Sequence, residues 1–235
     1  MDAIQTIPAK ILEQMRGEID ADSSVFDRRL KPESELDRPA PFSSLFAAAC
    51  LPRDSESCAE AAGKQDANLY QLGLEYIFEG YLLHYGRSRL LAEDGGEFPV
   101  LAGDHMYARG LAAIASLGDL HCIMALAELI RVCSLIECEG LAMELAVDAW
   151  AVTTLELAKR ASGTVPPEAP GGSAGGPERN SEATLVEPAG LGGRLEALLA
   201  AYPEGRRENL RGLISELGSN FVSIDKDRRR NNGAR

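Results

Sequence analysis

The chain has 235 residues, 45% of them hydrophobic and 6% aromatic, and carries 24 Lys and Arg against 36 Asp and Glu for a formal net charge of −12. So acidic a chain repels phosphates, which argues against a general nucleic-acid binder and against broad attachment to anionic membranes. Ala and Leu dominate the apolar fraction while β-branched and aromatic residues are few, a mix that favours helix over strand and is large enough to fill a core.

Ile4, Ile7, Ile11, Leu12, Met15 and Ile19 recur at spacings of three and four and predict an amphipathic helix over residues 4–19, with Pro8 comfortable in its first turn. Residues 20–41 are polar and hold Pro32, Pro39 and Pro41, so they read as a loop or a short broken helix. Residues 42–50 form a short apolar helix that Ser43 or Ser44 would cap and that ends before Pro52. From Glu60 to Leu91 the pattern is helical again, with Leu69, Leu72, Ile77, Tyr81 and Leu82 on one broad face. Gly73 and Gly80 share that face, where small residues let a neighbouring helix approach closely.

Residues 100–140 are the longest stretch of sustained helical periodicity. A helix opening near Gly103 and Asp104 carries Leu101, Met106, Tyr107, Leu111, Ile114 and Leu117. Gly118 is placed to end it and Asp119 to cap the next, which carries Leu120, Ile123, Met124, Leu126, Leu129, Ile130, Cys133 and Ile136. That helix reads as continuing through Gly140 into residues 141–159, with Lys159 and Arg160 where cations suit a helix C-terminus. Residues 1–161 thus make an all-α domain. Composition then changes: residues 162–193 are rich in Gly, Pro, Ser and Ala and read as a flexible linker. Residues 194–224 form a C-terminal helical segment whose stripe of Leu210, Leu213, Ile214, Leu217 and Phe221 must pack on the main domain or on a partner. Residues 225–235 read as a basic, disordered tail, a solvated end for which contact with a membrane or an acidic partner is left open.

Chemistry is hard to find. The five cysteines are odd in number and form no CxxC pair, which fits a reducing compartment rather than a disulfide framework. Cys133 and Cys138, five apart on a helix, point about 140° away from each other and do not share a metal. His84, His105 and His121 form no HExxH, and His105 beside Asp104 is not a relay, because consecutive helical residues do not face each other. P-loop and dinucleotide-binding motifs are absent. No Asp-Asp or Glu-Glu dipeptide occurs, whereas clamping Mg²⁺ on a diphosphate takes several carboxylates on one helix face. A metal site would have to be assembled from scattered acids such as Glu75, Glu79, Asp94 and Asp104. There is no basic start followed by an apolar run at the N-terminus and no run of about 18 apolar residues, so neither a signal peptide nor a transmembrane helix is expected, and the expected location is cytoplasmic.

The segments VLAGDHMYARGL at 100–111, SLGD at 116–119, LAELI at 126–130 and ECEG at 137–140 together resemble the all-trans polyprenyl diphosphate synthase superfamily. Upstream, LGLEY at 72–76 and His84 are similar to the helix that in that family leads to the first aspartate-rich motif. Here the corresponding segment reads YLLHYGRSRLLAED at 81–94, without the aspartate cluster, and the linker stands where the second such motif would come. The resemblance therefore implies an all-α helical bundle of the isoprenoid synthase type, truncated and degenerate, with no catalytic, cofactor-binding or metal-binding residue of its own. It implies the small, non-catalytic subunit of a two-chain synthase. The partner would be the catalytic large subunit, which would hold Mg²⁺ and the prenyl diphosphate substrates, and this chain would help to set product length in isoprenoid (quinone side-chain) biosynthesis. Gly103, Asp104, Met106 and Tyr107 are the candidates for the subunit interface or the prenyl-chain pocket, against a plainer reading of Met106 and Tyr107 as core packing. Two alternatives stand beside it: a helical interaction or scaffold protein with no tie to isoprenoids, and a divergent lone prenyltransferase using the scattered acids.

Overall fold

Every position from Tyr70 to Leu83 is buried, and the helix they belong to sets the others in place. The structure, a computed structural model, describes residues 2–22, 26, 29–32, 40–50, 64–92, 96–162 and 188–232. Among them are eight α-helices: α1 (Asp2–Asp22), α2 (Pro41–Cys50), α3 (Lys64–Tyr85), α4 (Phe98–Ala115), α5 (Leu120–Glu139), α6 (Met143–Ala161), α7 (Leu191–Ala200) and α8 (Glu204–Asn232). The described residues hold no strand, only an isolated antiparallel bridge between Leu30 and Leu91. The protein is all-α, as its composition predicts.

Helix α3 is buried all round because it separates two apolar clusters. On one side Leu72, Tyr76 and Leu83 pack with Ile11, Met15 and Ile19 of α1 and with Ala102 and Met106 of α4. On the other side Leu74, Ile77, Phe78, Tyr81 and Leu82 meet α2, α5 and α6. Trp150 of α6 anchors this larger cluster, with its ring 4.3 Å from that of Phe42 and 5.3 Å from that of Phe78. Phe221 of α8 closes it, 5.7 Å from both Phe78 and Tyr81. Truncating a buried Trp or Phe of this kind costs about 3–5 kcal/mol.

Helices α3 and α4 cross antiparallel at closest range, and four glycines permit it. A Cβ on Gly80 would lie 2.9 Å from the Gly103 carbonyl oxygen, and one on Gly110 would lie 2.8 Å from that of Gly73. The expectation that Gly73 and Gly80 admit a neighbouring helix is met, and the neighbour supplies its own pair of glycines at the same spacing.

Asp119 caps α5 as expected, accepting hydrogen bonds from the backbone N–H groups of His121 (3.0 Å) and Cys122 (3.3 Å). Four readings need correcting. The helix does not run through Gly140: it ends at Glu139, Gly140 adopts a left-handed φ of 63°, and α6 starts afresh at Met143. Glycine takes that conformation at little cost, so it stops a helix whose apolar pattern continues. Neither Ser43 nor Ser44 caps α2; Pro41 begins that helix, and the N–H of Ser43 donates to the carboxylate of Glu75, 2.8 Å away on α3. The linker boundary also shifts. Residues 163–187 lie outside the described residues, but Pro188–Gly190 form a 3₁₀ turn and α7 begins at Leu191. Leu191, Leu195, Leu199, Leu210, Leu217 and Phe221 are buried, so the C-terminal segment packs on the main domain. Helix α8 then continues to Asn232, through most of the stretch read as a disordered tail. No helix among the described residues is long and apolar enough to cross a membrane.

Candidate functional site

Two polar centres lie at the C-terminal end of α3, one sealed and one open. The sealed one is built on Glu75 and Glu79, one turn apart on α3, and on Arg89 from the loop that follows it. All three side chains are buried: exposure is 0% for both carboxylates and 2% for the guanidinium. Arg89 Nη1 lies 2.6 Å from Glu75 Oε2, and Arg89 Nε lies 2.9 Å from Glu79 Oε2. Two carboxylates against one guanidinium leave a formal negative excess, which is met by neutral donors. The backbone N–H groups of Arg89 (2.9 Å) and Leu90 (3.2 Å) donate to Glu79 Oε1, as does the Ser88 hydroxyl. Glu75 takes the Ser43 N–H at the positive end of the α2 dipole. Burial works against the charge on Arg89, but Glu75 and Glu79 outweigh it and hold its pKa above the ordinary value. The guanidinium also lies over the Phe78 ring, 4.9 Å from its centroid.

The open centre gathers around His84 in the last turn of α3. Its ring stacks on Tyr107 of α4, centroids 5.1 Å apart and planes at 22°. Nε2, itself shielded from solvent, stands 3.2 Å from Asp104 Oδ1 without a hydrogen bond. The glycine crossing creates this contact, since a Cβ on Gly103 would come within 2.6 Å of His84 Nε2. Next to it, the Tyr85 hydroxyl donates to Ser134 Oγ (3.2 Å), and the Tyr81 hydroxyl donates to Glu137 Oε1 (2.6 Å). Burial, with the Glu137 carboxylate adding to it, holds the Tyr81 and Tyr107 phenols above their ordinary pKa. Burial and Glu137 do the same to the Cys133 thiol. These phenols therefore stay protonated and do not act as bases, and this thiol is not a nucleophile.

The candidates from the sequence separate. Gly103, Asp104 and Tyr107 come together around His84. Met106 faces the other way, fully buried against Leu72, Tyr76 and α1, and is core. Of the scattered acids, Glu75 and Glu79 are taken up by Arg89, Asp104 is 68% exposed beside His84, and Asp94 lies outside the described residues. This donor set does not fit a Mg²⁺–diphosphate site, and no group of three or more His, Cys, Asp or Glu among the described residues is placed to hold a metal ion. His105 stacks on Phe26, centroids 4.9 Å apart. Sequence reasoning missed Arg89 and the pairing of His84 with Asp104. The second was within reach: glycine pairs seven apart in both segments define a crossing register, and that register sets His84 against the first turns of α4. Comparison with protein-family models, with curated protein sequences and with solved structures finds no match to this chain.

Proposed function

We propose that this chain is the non-catalytic subunit of a two-chain trans-polyprenyl diphosphate synthase. A catalytic partner would carry Mg²⁺ and the prenyl diphosphate substrates, and this chain would support it and help set product length in isoprenoid biosynthesis. The observation that carries the reading is the fate of Glu75 and Glu79. They are two carboxylates one turn apart on one helix face, among the acids from which a metal site would have to be built, and both are paired in the interior with Arg89. That arrangement suits a helical bundle of the isoprenoid synthase type that has kept its framework and given up its chemistry. It counts against the lone-enzyme alternative, which needs those acids.

A second reading has an observation of its own. The space between α2, α3, α6 and α8 is filled by Phe42, Phe78, Tyr81, Trp150 and Phe221, where a prenyl-chain tunnel would need room. This favours a helical interaction protein without a tie to isoprenoids. One experiment separates the two: co-expression with an aspartate-rich trans-prenyl synthase chain encoded in the same genome, followed by affinity capture and assay of isopentenyl diphosphate incorporation. Co-purification, with activity or product length that neither chain has alone, supports the subunit. No capture and no gain on mixing leaves the interaction-protein reading.

A further inference from the structure

We draw no further inference here: the strongest candidate, the patch of exposed apolar side chains on α4, α5 and the turn after α5 (Val100, Leu101, Leu120, Met124 and Leu141), is an unpartnered face, and nothing in the structure shows what covers it.

Discussion

His84 sits in the last turn of α3 and Arg89 in the loop just after it. Each faces carboxylates, yet the two pairs live in different solvents. Arg89 is enclosed with Glu75 and Glu79, and every oxygen and nitrogen of the cluster that matters has a partner from α2, α3 or the loop. His84 is stacked on Tyr107 but reaches toward an Asp104 that is mostly in water. The difference separates structure from recognition. A buried charge cluster is intolerant of change because each member leaves the others stranded, while a pair whose carboxylate is mostly in water contributes little to folding and leaves that carboxylate available to whatever approaches the surface.

The largest effect expected follows from that contrast. Arg89→Met leaves two buried carboxylates without their cation, and breaking a buried pair in this way costs about 3–5 kcal/mol. Urea unfolding followed by circular dichroism should show a collapse of the midpoint or no folded protein. The triple variant Glu75→Leu, Glu79→Leu, Arg89→Met removes the charges together and should recover most of the loss, because an apolar replacement of a buried ion cluster is often near neutral. If Arg89→Met unfolds at the parent midpoint, the cluster is wetter than its burial implies and the comparison with His84 fails.

The glycine crossing sharpens the same contrast at lower cost. Gly80→Ala drives a methyl to 2.6 Å from the Tyr107 ring and 2.9 Å from the Gly103 carbonyl, so the backbones must separate. Overpacking of this kind costs about 1–3 kcal/mol, and it shifts the α4 register on which the His84–Asp104 contact depends. Gly212→Ala on the exposed side of α8 has open space around it and should instead stabilise by about 0.5–1 kcal/mol. The two thermal midpoints should move in opposite directions from the parent.

Most of the helices were legible, and the reason is periodicity: apolar residues at three- and four-residue spacing recur through α1, α3, α4, α5 and α8, and Asp119 announces its own cap. Three things were not legible, each for a physical reason. The break at Gly140 is a matter of one left-handed residue inside a continuous apolar pattern. The Arg89 cluster is a tertiary event, since nothing local to Glu75 or Glu79 says that a loop will fold back over them. The outward face of α5 misled because Leu120 and Met124 satisfy the helical pattern while standing in water. Apolar spacing records that a face is to be covered but not by what. Of the candidate site, Asp104 and Tyr107 were named in advance, whereas His84 needed the glycine register to join them.

Titration offers a third way to divide interior from rim. Asp119 caps α5 and pairs with Arg160, whose Nε is 2.7 Å from Oδ2. Burial opposes its charge, but Arg160 and the N–H of Cys122 prevail and lower its pKa. A carboxylate with a depressed folded pKa contributes stability above its unfolded value, near 3.9, and loses that contribution as pH falls through the folded value. Asp148 and Glu156 have the opposite sign. Burial raises both, assisted at Asp148 by Glu144 and Glu196 and opposed at Glu156 by Arg194. Their protonation in mild acid favours the folded state. Stability measured by urea midpoint should therefore rise slightly as pH falls from neutrality and then drop below about pH 4. Asp119→Ala should cost about 1 kcal/mol at pH 7 for the lost cap and should flatten the acid limb. An acid limb unchanged in that variant would place the sensitivity elsewhere.

The smallest expected effect is the one most informative about function. Asp104→Asn removes the charge that faces His84, and because Asp104 is 68% exposed the change in stability should be under about 1 kcal/mol. The fold, the glycine crossing and the Arg89 cluster all survive it. If the His84, Asp104 and Tyr107 corner is part of the surface that a catalytic partner reads, then Asp104→Asn should weaken capture of that partner, or change the product length of the complex, with an unfolding midpoint close to the parent's. An effect on capture without an effect on unfolding separates recognition from folding at this corner. A variant that binds and elongates as the parent does would leave His84 and Tyr107 as a helix-end contact, stacked over Gly103 because the crossing of α3 and α4 puts them there.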